Sequence, residues 1–469
     1  MRLLYLIYEA ANASLGIQLA EKYREADGFD VVLWSPYCLP NEDKIREASA
    51  SAGCLFVAET GAKGGLADIH SVISPWIVPR PKPPTGAFER CEDLSNRGAE
   101  LLKLLTPDQR MECVYAVDDI RRRRWFCEDI IARLAIDAIV MAEDNPERDS
   151  AIWISAARSR GCRTVIISYG DLDVNEALSA YSQSEAHLVP ENLVGGMRSV
   201  MPEWMAQAGE KWISRLPYAQ AIARVLTHCT ATNPWVVNSG PVDAIGVESP
   251  AMRDVYRQLG IPSDHLHVVG HPVKDLLHQK LVQHTSRRRQ FGGSQTHGTP
   301  SVVVAIPTDY TDLRSTEFGG YASVQDAFLY PLRDILQANI IVSLHPNAKE
   351  AHRERLIGLG FQVAREPLVE ILPLCDLYVA SVSSTIKWAL GCGIPVLNYD
   401  VYEYHYEQYR TSQAVRTVST IEDYRDALRS WQEEEPRSEW IAAARSVAGY
   451  WGPIDGQSTN RVLRLIWSK

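Results

Sequence analysis

The chain has 469 residues, of which 46% are hydrophobic and 23% charged, and its formal net charge is −10. This length exceeds one ordinary hydrophobic core, so we expect a globular protein of two or more domains. The acidic balance disfavours bulk nucleic-acid binding, and no apolar run reaches the roughly 20 residues of a membrane span. The nine cysteines lie scattered, which favours reduced thiols in a cytoplasmic protein over a disulfide framework or a zinc site.

The amino-terminal half alternates short apolar runs with helical segments. Residues 2–8, residues 30–34 and Leu55–Ala58 are typical of buried strands. This alternation predicts a parallel sheet with helices on both faces, in which ligands bind beyond the carboxyl ends of the strands. The polar segments 12–16 and 61–65 are therefore either walls of a binding cleft or ordinary turns.

Four adjacent arginines occupy residues 121–124 in a segment predicted to be helical. A basic run can contact nucleic acid or membrane. However, Asp118, Asp119, Glu128 and Asp129 flank the run, which favours a solvated, salt-bridged helix surface.

Acidic residues follow the predicted strand Ala138–Met141. Glu143 and Asp144 stand at its end, and Asp171 and Asp173 follow the next strand. A carboxylate in this position can take a proton from an acceptor hydroxyl. Glu143 and Asp144 are the stronger catalytic candidates, and the alternative is that Asp144 and Asp149 only cap the following helix.

Residues 197–216 are amphipathic and contain Met201, Trp204 and Met205. Such a segment could touch a membrane or a lipid-linked acceptor, but its few basic residues favour packing in a core. Residues 235–238 and Ala244–Val247 are predicted as further strands.

A polar, glycine-rich segment at residues 283–299 is predicted to link two domains. A second alternating domain follows. Its first strand, Ser301–Ile306, precedes Thr308, and a later strand ends at His345 and Pro346. The predicted division is an amino-terminal domain at 1–282, a linker at 283–299, a carboxyl-terminal domain at 300–455 and a final helix at 456–469 that crosses back.

Residues 376–400 predict a strand, a hydroxyl-rich turn, a helix and another strand. Ser381, Ser383, Ser384 and Thr385 crowd the turn where the helix should begin. A helix start offers unpaired N–H groups and partial positive charge, so it can bind phosphate, and hydroxyls add donors. The alternative is that these residues only cap the helix.

Three segments carry a family resemblance: VVGHPVKD at 268–275, SLHPN at 343–347 and SVSSTIKWALGCGIPVLNYD at 381–400. Together they resemble the carboxyl-terminal half of two-domain GT-B glycosyltransferases, above all bacterial sialyl- and polysialyltransferases and capsule or lipopolysaccharide enzymes with HP and S/SS motifs. CDP-glycerol glycerophosphotransferases look similar in the same places. The GHPVKD piece is also similar to UDP-GlcNAc 2-epimerases and lipid A disaccharide synthases. The resemblance covers residues 235–469, and the amino-terminal half resembles the family in architecture only.

The resemblance implies a nucleotide site in the second domain. His345 and Pro346 match the HP motif and would lie near the nucleotide phosphate, which Ser383 and Ser384 of the S/SS motif would bind. Two further hydroxyl residues complete the predicted site, namely Thr385 and Thr308.

The resemblance also implies a general base in the first domain. Glu143-Asp144-Asn145 is the nearest counterpart of the family's acidic motif, although Asn145 stands where the family has glycine. His271 either lines the cleft or only starts a helix.

These features predict an α/β protein of GT-B architecture, with two Rossmann-like domains facing a central cleft. The implied function is metal-independent transfer from a nucleotide sugar, best matched by a CMP-linked ulosonic acid, to a glycan or lipid-linked acceptor. Neither a bound cofactor nor a metal is expected; peripheral contact with the inner membrane is possible. The alternatives are a UDP-GlcNAc 2-epimerase-like isomerase, a UDP-sugar or CDP-glycerol transferase, and a non-enzymatic binding module.

Overall fold

The computed structural model describes residues 1–24, 30–37, 39, 41–59, 101–168, 170, 174–182, 184–290, 299–311, 316–345, 348–410 and 412–468. The chain folds as two compact units. The first unit comprises Met1–Val247, Leu259–His267 and Val462–Lys469, and the second comprises Glu248–Gln258 and Val268–Arg461. Predicted features at residues 61–65, Asp171, Asp173 and Pro346 lie outside the described residues.

The first unit is built on a sheet with the strand order β3-β2-β1-β4-β5-β8-β9. Every pairing from β3 to β8 is parallel. The strands of this sheet are β1 (Arg2–Leu6), β2 (Asp30–Ser35), β3 (Leu55–Ala58), β4 (Ala138–Met141), β5 (Arg163–Ile167), β8 (Ala244–Val247) and β9 (Leu266–Val268). A separate antiparallel hairpin pairs β6 (Met205–Ala208) with β7 (Lys211–Ser214).

Helices connect these strands, as expected where parallel neighbours need crossover segments. They are α1 (Ala10–Arg24), α2 (Glu42–Ser51), α3 (Pro107–Arg133), α4 (Ser150–Ser159), α5 (Val174–Ser182), α6 (Glu191–Val200) and α7 (Tyr218–Leu226). The chain passes outward from β1 through β2 to β3 and then places β4 on the other side of β1. The β1/β4 boundary is therefore a topological switch point, where open α/β sheets bind ligands.

The second unit contains a wholly parallel sheet with the order β12-β11-β10-β13-β14-β15. Its strands are β10 (Ser301–Ile306), β11 (Asn339–Leu344), β12 (Gln362–Val363), β13 (Leu377–Ala380), β14 (Val396–Tyr399) and β15 (Val415–Val418). Here the switch point lies between β10 and β13. Because parallel strands end at the same edge, the segments after β10, β11 and β13 are neighbours.

The helices of the second unit are α8 (Pro250–Gln258), α9 (Val273–Gln290), α10 (Tyr321–Ile335), α11 (Glu350–Gly358), α12 (Leu368–Ile371), α13 (Ile386–Gly391), α14 (Ile421–Gln432) and α15 (Glu434–Trp451). The final helix, α16, spans Ser458–Trp467. The central strands β13 and β14 are four-residue runs with every residue buried, as expected for parallel strands covered on both faces. The predicted α/β class with two parallel-sheet domains is confirmed.

Two local predictions were wrong. Residues 12–16 lie inside α1 and form no loop, because Gly16 lets this helix approach the sheet: a Cβ there would come within 2.6 Å of Leu33 Cδ2. Residues 235–238 form turns and no strand, and Asn238 has the left-handed φ of 69°. An aspartate described below holds this loop by its backbone.

The amphipathic segment at residues 197–216 packs in a core. Met197, Met201 and Trp204 are buried to 1% exposure or less in the first unit. Helix α6 ends at Val200 before Pro202, and the chain then enters the β6–β7 hairpin. Core packing therefore explains these apolar residues.

Helix α9 continues to Gln290, within the stretch predicted to be the interdomain linker. None of the helices in the described part of the chain is long and apolar enough to cross a membrane.

Candidate functional site

The turn after β13 holds the hydroxyl residues predicted to bind phosphate. Thr385 Oγ1 lies 2.7 Å from Ser383 Oγ and 2.5 Å from the Tyr378 hydroxyl. Burial raises the pKa of Tyr378 well above its usual range, so the phenol stays protonated. The three side chains form a hydrogen-bonded relay, and Ser384 lies half-buried in the same turn.

Ser381 opens this turn and is only 6% exposed. Its Oγ is buried and has no hydrogen-bond partner in the structure. A buried hydroxyl without a partner loses free energy relative to water, and a ligand can supply the missing bond. The sequence pattern includes this serine in the hydroxyl-rich turn but not among the residues predicted to bind the nucleotide.

The backbone of the turn is strained at Val382, whose φ of 29° is unusual for a β-branched residue. The Val382 N–H donates to Asn398 Oδ1 at 2.8 Å. Asn398 lies on β14, is 2% exposed, and also donates to Thr417 Oγ1 at 3.3 Å. Strain of this kind persists where the surroundings enforce it and is common in functional turns.

Thr308 and His345 follow the strands beside this turn. The Tyr402 hydroxyl donates to the Thr308 carbonyl at 3.0 Å, which fixes the backbone after β10. His345 is exposed directly after β11, and its carbonyl accepts the Ala348 N–H at 2.8 Å. The second unit thus brings Thr308, His345 and the turn at residues 381–385 to one sheet edge, at its switch point.

His271 is buried, at 5% exposure, directly before the amino end of α9. Its Nδ1 accepts the Val273 N–H at 3.2 Å, so the neutral ring carries its proton on Nε2. Burial, with the charges of Lys274 and Lys387, lowers the pKa of His271 to about 4 against the opposing effect of Glu248. The ring is neutral at pH 7 and is a weak base there.

In the first unit, the segment at residues 143–149 follows β4 at the switch point. Asp144 is 1% exposed, and its two carboxylate oxygens accept the backbone N–H groups of Asn238 and Gly240. The Asp144 N–H in turn donates to Asn238 Oδ1 at 3.1 Å. Burial raises the pKa of Asp144 to about 6, while these N–H donors lower it. Its oxygens are engaged in holding the loop.

Glu143 has a different environment. Its side chain is 32% exposed and lies 4.0 Å from Arg148 Nε. Burial raises the pKa of Glu143 to about 7; the neighbouring Glu9, after β1, raises it, and Arg148 lowers it. A half-buried carboxyl group with a pKa near 7 suits proton transfer at neutral pH.

Aromatic and basic side chains surround this segment. Arg148 lies over the Tyr37 ring at 5.4 Å, and Arg215 lies over the Tyr181 ring at 4.5 Å. Arg215 is 3% exposed and donates to Asn145 Oδ1 at 3.0 Å and to Glu147 Oε1 at 3.2 Å. These partners come from distant segments of the chain, so no local sequence pattern indicates them.

The arginine run at residues 121–124 is split between surface and interior. Arg122 pairs with Asp118 on the surface, as expected. Arg123 instead lies 2.6 Å from Glu59 and 2.5 Å from Asp149, with 22% exposure. The prediction of a salt-bridged helix surface is confirmed. Arg123 differs from it because this half-buried side chain pairs with Asp149, the last residue of the segment at residues 143–149.

Comparison with solved structures identifies proteins of the same fold. The chain matches UDP-GlcNAc 2-epimerase from Neisseria meningitidis over 99% of both chains, with a TM-score of 0.51 and 11% identity. A putative UDP-N-acetylglucosamine 2-epimerase from Listeria monocytogenes matches 99% of this chain and 94% of its own, with a TM-score of 0.49 and 13% identity. The glycotransferase of kitacinnamycin matches over 99% of both chains, with a TM-score of 0.49 and 11% identity.

These structural neighbours are GT-B-like glycosyltransferases and UDP-GlcNAc 2-epimerases. At such identities the likeness to the Neisseria protein shows the fold alone. No protein-family model matches the chain, and no curated protein matches it significantly.

Proposed function

We propose that the protein is a glycosyltransferase that moves a sugar from a nucleotide-activated donor to a hydroxyl acceptor. In this proposal the second unit binds the nucleotide, and the first unit supplies the general base. Protein groups, without a metal ion, offset the phosphate charge as the bond to the sugar breaks.

One observation carries the proposal. Hydroxyl groups and a histidine converge at the switch point of the second unit, in a turn that contains the buried, unpartnered Ser381 Oγ. Hydroxyls of Ser383, Ser384 and Thr385 can donate to phosphate oxygens, and His345 and Thr308 can approach from the neighbouring strand ends. A hydroxyl network already aligned before binding needs little rearrangement when charge develops on the leaving phosphate.

Glu143 is the base in this proposal. Its raised pKa and partial exposure allow it to take the acceptor proton, whereas the oxygens of Asp144 are engaged by backbone N–H groups. Asp144 then acts as a positioning residue, and neutral His271 has no part in proton transfer.

The donor that the sequence motifs favour is a CMP-linked ulosonic acid. The corresponding acceptor is a glycan or lipid-linked saccharide in bacterial surface-polysaccharide synthesis. This assignment places the enzyme in the cytoplasm, in peripheral contact with the inner membrane. It rests on the HP and S/SS resemblance, and a direct binding test decides it.

Calorimetric titration with CMP, CDP, UDP and GDP, each in the presence of a chelator, tests the proposal. We expect one nucleotide to bind without added metal, and tightest binding of CMP supports the ulosonic-acid donor. Tightest binding of UDP redirects the assignment to UDP-sugars. If none of the four binds, the protein is a binding module without this activity.

The second candidate is a UDP-GlcNAc 2-epimerase-like isomerase. The segment at residues 268–275 and the fold shared with the Neisseria epimerase favour it. An epimerase converts UDP-GlcNAc without an acceptor, so NMR of UDP-GlcNAc incubated with the protein alone separates the two candidates. Appearance of a C2 epimer would reject the transferase proposal.

A further inference from the structure

Three buried charged side chains meet in the second unit: Glu248 after β8, Lys274 in α9 and Lys387 in α13. We call them the lysine–glutamate cluster. Lys387 Nζ lies 2.9 Å from Glu248 Oε1, and Lys274 Nζ lies 3.7 Å from Glu248 Oε2. The side chains of Glu248, Lys274 and Lys387 are 2%, 0% and 1% exposed. One carboxylate therefore faces two ammonium groups away from solvent.

Lys274 also fastens the backbone around the cluster. Its Nζ donates to the Trp451 carbonyl at 3.0 Å and to the Glu248 carbonyl at 3.2 Å. Gly452 follows with a φ of 140°, and a Cβ at this position would overlap Lys274 Nζ. Glu248, the end of α15 and the starts of α9 and α13 are thus held around one cluster within the second unit.

The cluster joins two of the three sequence motifs. Lys274 belongs to the segment at residues 268–275, and Lys387 belongs to the segment at residues 381–400. Lys387 lies two residues after Thr385, at the end of the hydroxyl turn. Glu248 therefore fixes the helix that begins at this turn.

The charge balance is unusual for a purely structural contact. Burying an ion is costly, and a single Lys–Glu pair already neutralises both charges. The second buried lysine leaves the cluster with a net charge of about +1, and charge acts over longer distances in a protein interior than in water. An anion bound at the adjacent turn, where the proposed nucleotide phosphate lies, would offset this excess.

We propose that the lysine–glutamate cluster positions the phosphate-binding turn and that its excess positive charge strengthens nucleotide binding there. Glu248 acts through Lys387 on the turn, and Lys274 supplies the second charge. None of the three needs to touch the nucleotide, so all are positioning residues. This inference rests on the proposed nucleotide site of the second unit.

The charge of Lys274 is open to titration near neutral pH. Burial lowers the pKa of Lys274 to about 8; Glu248 raises it and Lys387 lowers it. Among the other groups facing the cluster, His271 is neutral, and burial raises the pKa of the Cys392 thiol to about 12. Lys387 and Lys274 hold the pKa of Glu248 below its usual range, and Asp275 lies beside His271. The excess charge is therefore present below pH 8 and is lost above it.

The test is the affinity for UDP, with CMP in parallel, measured by calorimetry between pH 7 and pH 9. A terminal phosphate with a pKa near 6 keeps constant charge in this range. We expect the wild-type Kd to rise by about three- to tenfold between these limits as Lys274 is neutralised. Lys274→Met should show the weaker affinity already at pH 7 and no further change to pH 9.

Lys280→Met is the matched control, because Lys280 lies on the same helix α9 but pairs with Glu370 at a half-exposed site. It should follow the wild-type curve. If Lys274→Met does not fold, Lys274→Gln takes its place, because glutamine keeps N–H donors but has no charge. The change in the wild-type Kd between pH 7 and pH 9 tests the inference without any variant. A flat wild-type curve, or a Lys274→Met curve with the wild-type slope, overturns this inference while binding itself stands. Absence of UDP and CMP binding overturns both this inference and the proposed function.

Discussion

Glu143 and Asp144 are neighbours in the chain, but their carboxyl groups lie in different surroundings. The oxygens of Asp144 accept backbone N–H groups, while Glu143 remains 32% exposed beside Glu9 and Arg148. Adjacent residues beyond a strand end point in different directions, so one can hold a loop while the other faces a ligand. In the proposed mechanism, Asp144 therefore positions the loop and Glu143 takes the proton.

The first residue-scale prediction concerns Glu143→Gln. If Glu143 is the base, the variant loses about two to four powers of ten in turnover, because the amide cannot accept the proton, while nucleotide affinity is unchanged. Wild-type activity should rise with pH through about 7, where Glu143 loses its proton. Initial rates with the donor found by titration, measured from pH 5.5 to 8.5, check this.

Glu9→Gln is the companion variant. The Glu9 carboxylate raises the pKa of Glu143, so its removal should shift the rise in activity to lower pH without abolishing it. A Glu143→Gln enzyme that keeps near-normal turnover would move the base to another group.

The second residue-scale prediction concerns the hydroxyl turn. Ser383→Ala combined with Ser384→Ala should weaken nucleotide binding by about 1–3 kcal/mol in total, if each hydroxyl donates to phosphate. Ser381→Ala should weaken binding as well but leave the melting temperature of the unliganded protein unchanged, because Ser381 Oγ has no protein partner to lose. Calorimetry and thermal denaturation measure the two quantities. Unaltered affinity in folded variants rejects the phosphate role.

At the scale of elements, the loop after α7 is held by the hydrogen bonds that the N–H groups of Asn238 and Gly240 donate to the Asp144 carboxylate. Gly240 is necessary there because a Cβ would overlap Asp144 Oδ2. Gly240→Ala should therefore destabilise the protein by about 1–3 kcal/mol, the cost of leaving buried polar groups without partners. Urea denaturation measures this change.

Gly195→Ala is the matched control for that substitution. Gly195 lies within α6, and a Cβ there has no atom within 4 Å. Alanine favours helix more than glycine, so this variant should be neutral or more stable by up to about 1 kcal/mol. Equal loss of stability in both variants would show that the hydrogen bonds to Asp144 do not account for the effect of Gly240→Ala.

The sequence predicted the elements better than it predicted their connections. Ala138–Met141 and Ser301–Ile306 were predicted with their observed bounds, because short buried runs carry a strong apolar signal. The residues that hold Asp144 lie 94 and 96 positions further along the chain, so no local pattern could reveal them. Gly16 gave a different error. The glycine suggested a loop, whereas the close packing of α1 on the sheet requires a residue without a Cβ at this position.

The candidate site was predicted in part for the same reason. The hydroxyl turn and His345 are contiguous motifs and were found from the sequence. Asn398, Glu248 and Arg215 act through contacts between distant segments, and sequence patterns gave no sign of them.

At the scale of the whole molecule, the two units should respond differently to nucleotide. We expect saturating nucleotide to slow amide hydrogen exchange at the strand ends of the second unit, including Val382 and Thr385. The segment at residues 143–149 in the first unit should be protected only when an acceptor is also present. Hydrogen-exchange mass spectrometry checks this, and nucleotide protection confined to the first unit would contradict the assignment of the two roles.

The first unit takes its last segment from the far end of the described chain, because residues 462–468 belong to it while residues 268–461 belong to the other unit. Arg163, the first residue of β5, donates to the Leu465 carbonyl at 3.2 Å. On the ribosome, this unit must wait for some two hundred residues of intervening chain before its own packing is complete. A nascent chain stalled after residue 455 should therefore be cleaved by protease in its amino-terminal half more readily than the released protein. Dependence on chaperones during synthesis would then have two causes: the late synthesis of residues 462–468 and the stability of the folded protein.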